Sequence, residues 1–244
     1  MKTIAIKPVT SWSFSRYNDY RQCPLKFKLK HLDKIAEPPN AAMQRGSDID
    51  KMVEEYIVGR ISRLPKEVLG LRTEISMLRK LYKKVGHTQM TVQETWALTK
   101  AWGRTVWNDW DGCWLRVKLD AAHQEGDTLI VTDWKTGKMR PQKVEEYKEQ
   151  LELYATCALL LHPGMARVRV RLGFLDHDAF YPAADEPAIE YTQDDLKGLM
   201  RTWEARVKPM FADKRFAPKA NDGCRWCWYG QSKKADGGPG LCRY

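Results

Sequence analysis

In the stretch Leu129 to Lys138, LIVTDWKTGK, a short apolar run ends in an acid, a tryptophan, a lysine and a Thr-Gly turn. Leu129-Ile130-Val131 reads as a buried strand, and successive strand residues point to opposite faces. Asp133 and Lys135 therefore project on the same side of a strand end. Upstream, Cys113 to Ala121 (CWLRVKLDA) alternates apolar and polar residues, and HQEGDT supplies a hairpin turn at about Gly126. That turn sets Asp120 nearly opposite positions 132 to 134. Alone, Asp133 and Lys135 are the common ion pair of an exposed strand end, worth roughly 0–1 kcal/mol. With Asp120, two carboxylates and an ammonium converge. Neighbouring carboxylates repel unless a cation lies between them. Mg²⁺ suits such a place, because it typically uses one or two carboxylates plus substrate phosphate oxygens. The chemistry is then activation of water and polarisation of a phosphate ester, with the lysine beside the developing charge.

A helix that begins at Pro141 and runs to about His162 carries Gln150 and Tyr154 four residues apart, hence on one face. It follows the strand directly, so this face can cover the acidic end of the sheet. Glu94, on a strand expected over Gln89 to Thr99, is a further candidate acid.

The elements around these residues start with helices. Ser15 to Leu32 reads as one helix kinked or split at Pro24, Ala41 to Arg60 as a second and Lys66 to Val85 as a third. Trp102 to Trp107 reads as a strand or a loop. Val168, Val170, Leu172 and Phe174 alternate with Arg167, Arg169 and Arg171 in a strand, beside which Phe180 to Pro182 can pair. Thr192 and Asp195 start a last helix running to about Phe211. Helices, a hairpin, a crossover helix and another strand give an α/β fold: a central mixed sheet flanked by helices. The expected organisation is a single domain over 1–244, with a helical part at 1–88, the sheet and site at 89–190, and a last helix with a cysteine cluster at 191–244.

Lys plus Arg number 41 and Asp plus Glu 31, a net charge of +10. This favours a polyanionic partner, nucleic acid first, or is surface charge serving solubility. Arg16, Arg21, Lys26 and the Arg167/Arg169/Arg171 row are candidates for backbone contact, although the row reads more readily as a solvated sheet face. No apolar run is long enough to span a membrane and no leader is evident, so a cytoplasmic location is expected. Among the cysteines, Cys113 and Cys157 fall in core positions. Cys224 and Cys227 have a spacing that lets both sulfurs reach one metal, with Cys242 and the distant Cys23 as further thiolates.

Taken in order, Asp120, then Asp133-Trp134-Lys135-Thr136-Gly137, then Gln150-x-x-x-Tyr154 resembles the PD-(D/E)XK nuclease superfamily, and within it the RecB-type branch. That branch includes phage and CRISPR-associated exonucleases. Val117 stands where the branch's first acid motif has glycine. SFSRYNDYRQCPLKFKL resembles the branch's opening, and RGSDIDKMVEEY its next motif, with Asp50 in place of the usual histidine. The resemblance implies Mg²⁺ or Mn²⁺ held by Asp120, Asp133, the Trp134 carbonyl and, as a further ligand, Asp50. It gives Lys135, Gln150 and Tyr154 supporting roles. It also implies a [4Fe–4S] cluster on Cys23, Cys224, Cys227 and Cys242. The fourteen residues between Cys227 and Cys242 exceed the usual gap and leave Zn²⁺ as the second choice.

The activity so implied is divalent-metal-dependent DNA exonuclease in phage or bacterial recombination or repair. The alternatives are a non-catalytic DNA-binding module on the same fold and a site-specific endonuclease. No G-x-x-x-x-G-K-[ST] loop is present. A helicase, recombinase or single-strand-binding protein would therefore be supplied separately, or the chain would act as a homo-oligomer.

Overall fold

The computed structural model describes residues 8–38 and 40–244. Helix α1 (Phe14–Gln22) stops at Cys23, whose backbone is extended, and Pro24 begins the single turn of α2 (Pro24–Phe27). Of the two expected outcomes at Pro24, kink or split, the helix is split: proline has no N–H for the preceding turn and disfavours helical geometry at Cys23. Helix α3 (Ala41–Ile57) is capped by the Asn40 side chain. Helix α4 (Arg72–Val85) begins six residues later than the sequence pattern indicates. Leu71 is left-handed (φ 54°), and the Arg72 guanidinium binds the carbonyls of Leu64, Pro65 and Val68. Residues 66–71 are therefore held as a turn.

The sheet holds β1 (Met90–Thr99), β2 (Arg104–Thr105), β3 (Cys113–Glu125), β4 (Thr128–Lys135), β5 (Arg167–Phe174), β6 (Ala179–Tyr181) and β7 (Ile189–Thr192). Its order is β2-β1-β3-β4-β5-β6, and β7 pairs the other end of β5. All pairs are antiparallel except β4–β5, whose connection carries α5 (Val144–Leu161). The expected mixed sheet is present; β7, only four residues long, has no signal in the sequence beyond its β-branched residues. Between Trp102 and Trp107 only Arg104 and Thr105 pair as strand. β3 pairs β4 only from Ala121 onward. Its earlier edge is met by Trp12, whose N–H and carbonyl bond to Trp114 O and Arg116 N.

Two apolar layers enclose the sheet. On one face α1, α5 and α6 (Leu196–Ala212) pack through Tyr17, Leu151, Ala155, Trp203 and Val207. On the other, α3 and α4 pack Ile49, Val53, Ile75 and Leu78 against Ala121 and Trp134. Cys113 and Cys157 are buried, as expected of core thiols. No helix among the described residues is long and apolar enough to cross a membrane.

Candidate active site

The β3–β4 register pairs Ala121 with Thr132, so the next residues outward, Asp120 and Asp133, lie side by side at the strand ends. Both are buried, at 9% and 6% exposure. Asp120 Oδ2 accepts the Trp134 N–H at 2.8 Å. The alternation of β4 turns the Trp134 side chain into the α3/α4 layer and sends Asp133 and Lys135 the other way. Asp133 Oδ1 accepts from the Tyr154 hydroxyl at 2.5 Å and the Gln150 amide at 3.5 Å. Gln150 also donates to the Tyr154 oxygen at 2.9 Å. Lys135 Nζ stands 2.5 Å from Asp133 Oδ2. That contact is a close ion pair, with Oδ2 buried against the ammonium.

Asp50 comes from the other layer. Gly46, one turn earlier on α3, lies against β4's continuation: a Cβ there would stand 3.2 Å from Thr136 Oγ1. Burial first, then the charge of Asp133, pushes the Asp50 carboxyl up to about 6. Asp120 is pushed well above the usual carboxylate range by burial, then by Asp133 and Asp50, against the Trp134 N–H and Lys135. Burial alone would lower the Lys135 ammonium's pKa; Asp133, and behind it Asp120 and Asp50, raise it instead. Burial and the two aspartates also raise Tyr154 well above the ordinary phenol value, so it remains a donor to Asp133.

Crowded acids with raised affinity for protons are the electrostatic setting that a bound cation would relieve. Two carboxylates with open positions fit Mg²⁺ or Mn²⁺, which keep waters and substrate oxygens in their shells. Among the described residues no three His, Cys, Asp or Glu side chains close on a single metal ion.

The structure thus brings Asp50, Asp120, Asp133, Lys135, Gln150 and Tyr154 together. It does not bring in Glu94, whose charge instead acts on His162 at the far end of α5. Two neighbours escaped sequence reasoning. Gln93 donates to Asp120 Oδ1 at 3.1 Å from a left-handed position (φ 54°), which no pattern announces. Lys118 acts on Asp50 and is read in sequence only as the polar face of β3. Most of the expected phosphate-contacting arginines are neutralised. Arg167, Arg169 and Arg171 pair with Asp127, Glu190 and Glu74. Arg21 pairs with Glu149 and Lys26 with Asp19.

At the opposite end of α1, Cys23, Cys224, Cys227 and Cys242 line one cavity of about 150 Å³. The Lys219 N–H points to Cys23 Sγ at 3.4 Å and the Asn221 N–H to Cys224 Sγ at 3.3 Å. The Asn221 amide also ties to Gln22 O. The C-terminal segment is thereby folded onto the α1–α2 junction. Thiolate-bound groups are stabilised by such N–H donors, so these residues fit a sulfur-ligated centre.

No curated protein matches the chain. Its structure is similar to the crystal structure of a protein from Eubacterium rectale assigned provisionally as an exonuclease. The identity is 12%, the coverage 91% of this chain and 88% of that one, and the TM-score 0.47. It is also similar to that of SSO0001, at 14% identity, 92% and 86% coverage and a TM-score of 0.36. The sequence profile of the PD-(D/E)XK nuclease superfamily matches residues 11–232, from the strand-like segment before α1 into the cysteine-bearing tail. The chain belongs to the PD-(D/E)XK nuclease superfamily.

Proposed function

We propose that this chain is a divalent-metal-dependent deoxyribonuclease that degrades DNA from an end. The carrying observation is the buried pair Asp120 and Asp133 with Lys135 against Asp133 Oδ2. Asp120, Asp133 and the Trp134 carbonyl would hold Mg²⁺ or Mn²⁺, with Asp50 as a further oxygen donor. When bound, the metal supplies charge neutralisation at the acids, a more acidic water and polarisation of the phosphate. Tyr154 and Gln150 fix the Asp133 carboxylate by donating to Oδ1, and Oδ2, which faces the Lys135 ammonium, would be the oxygen offered to the metal. Lys135, kept protonated by the three acids, stands where it can orient the incoming water and offset negative charge building on the phosphate oxygens.

The reading of an end-dependent enzyme rests on the RecB-type motif order, and so does a role in phage or bacterial recombination. The four cysteines would hold a [4Fe–4S] cluster, with Zn²⁺ as the second choice. A sulfur-ligated centre is supported by four thiols around one cavity of about 150 Å³. The second reading is a binding module on the nuclease fold, for which Asp50 in place of a histidine speaks.

Digestion of end-labelled linear DNA and closed circular DNA, single- and double-stranded, with Mg²⁺, Mn²⁺ or EDTA, tests the proposal. Metal-dependent loss of linear DNA with circles intact is expected. Cleavage of circles would make the enzyme an endonuclease, and no cleavage by folded protein would favour the binding module.

A further inference from the structure

Many basic side chains of this protein are paired with acids, and two of those without an acidic partner lie side by side. Arg16, on the first turn of α1, and Arg116, on β3, have no carboxylate within ion-pair distance among the described residues. Arg16 Nη1 donates to Ser11 Oγ at 3.0 Å, while its Nε is buried without an acceptor. Arg116 Nε donates to Trp107 O at 3.0 Å, while its Nη2 is likewise buried and unsatisfied. The two guanidiniums are near enough that Arg116, after burial, lowers the pKa of Arg16. Two like charges with orphaned N–H donors form a place for an oxyanion, since guanidinium forks match phosphate geometry.

Their surroundings identify the anion's class. Arg16 and Arg116 sit at the junction of two clefts that share Ser11, Arg16, Trp107 and Arg116. The inner cleft, of about 450 Å³, ends at Lys118, Gln150 and Tyr154, the edge of the candidate active site. The outer one, of about 470 Å³, runs past Lys34 to Trp110. No Asp or Glu lines either cleft among the described residues.

At the outer mouth Trp110 is 74% exposed and Trp107 37%, which is costly for indoles unless something covers them. Arg116 lies 5.2 Å from the Trp110 ring and 5.9 Å from the Trp107 ring. The loop that carries them is held rigid. Asp109 accepts from Thr105 Oγ1 at 2.6 Å and from Gly112 N at 2.8 Å. A Cβ on Gly112 would stand 2.4 Å from Asp109 Oδ2, so a larger residue there would displace the carboxylate that ties the turn. Fixed aromatic faces beside unpaired arginines, in an acid-free groove, are what stacking of unpaired bases requires.

We propose that this groove is a single-strand subsite: Arg16 and Arg116 clamp a backbone phosphate near the scissile one, and Trp110 stacks an unpaired base. It rests on the nuclease reading for its biological use, but not for its test. Anisotropy of a labelled oligothymidylate is measured in EDTA, where no hydrolysis occurs, across a salt series. Trp110→Ala, at an exposed position that leaves folding intact, weakens binding on the order of tenfold, and Trp110→Phe restores most of it. Arg16→Gln and Arg116→Gln each lower the slope of log affinity against log salt by about 0.7. A blunt duplex binds parent and Trp110→Ala alike. Unchanged affinity and slope in all three loss variants would overturn the subsite, whatever the enzyme cleaves. An equal loss on blunt duplex would overturn its single-strand character. Failure of the nuclease reading would show separately, as intact oligonucleotide binding by a parent protein that cleaves nothing in Mg²⁺ or Mn²⁺.

Discussion

Asp133 divides its two oxygens between different tasks. Oδ1 is saturated by Tyr154 and Gln150, whereas Oδ2 faces only the Lys135 ammonium. A carboxylate anchored through one oxygen keeps the other aimed, and this preorganisation is what a metal-holding acid needs. Asp19 is the contrasting case of an acid satisfied by protein alone. His31 Nε2 stands 2.8 Å from it, with Lys26 and Lys30 at 3.3 and 3.2 Å. Burial by itself would raise its pKa, but the His31 hydrogen bond and the two lysines outweigh that and bring it down to about 2. A carboxyl whose folded pKa lies below its unfolded value, about 4, stabilises the fold above the unfolded value and loses that contribution as pH falls through the folded one. Between about pH 4 and pH 2 the parent should therefore lose on the order of 2 kcal/mol that Asp19→Asn does not. Urea unfolding across that range checks it; parallel acid limbs would contradict the assignment.

β4 places the site through strand alternation, and one glycine permits it. Trp134 lies flat over Gly173 of the neighbouring β5: a Cβ there would stand 2.6 Å from the indole ring and 2.9 Å from Leu71 Cδ1. Gly173→Ala should overpack this contact and cost about 1–3 kcal/mol, read as a lowered unfolding midpoint. An unchanged midpoint would mean that Trp134 does not set the position of Asp133 and Lys135. The alternation of β3 and β4, the Gly126 turn and the i,i+4 spacing of Gln150 and Tyr154 are local patterns, which is why the sequence revealed most of the site. What stayed hidden is non-local or irregular. The left-handed Gln93 beside Asp120, the late start of α4 after Leu71, and the pairing of Trp12 with β3 have no periodic signal. The pairing state of each arginine was hidden for the same reason. Its partner lies on another element: Glu74 on α4 for Arg171, Glu190 on β7 for Arg169.

Across the whole molecule, bases outnumber acids by ten, and the groove at Arg16 and Arg116 holds two of the bases that have no acidic partner. The C-terminal segment meets the α1–α2 junction at the cysteines, where Asn221 and Lys219 bind backbone carbonyls of Gln22 and Arg21. A centre held there should act as a staple rather than a reactant. Protein prepared without oxygen should carry iron and acid-labile sulfide in equal amounts with visible absorbance; Cys224→Ser should lose both and unfold at lower temperature. Zinc in place of iron would select the second choice, and neither metal would contradict the centre.

The central claim is that Asp120, Asp133 and Lys135 form a metal-dependent hydrolytic site. The most direct measurement compares parent and Lys135→Ala under single turnover on one labelled linear DNA, with binding followed in parallel in EDTA. The account predicts Mg²⁺- or Mn²⁺-dependent cleavage by the parent and a loss of at least about a hundredfold in the variant, with DNA affinity nearly unchanged. Equal cleavage by the two proteins, or cleavage that survives EDTA, would contradict it.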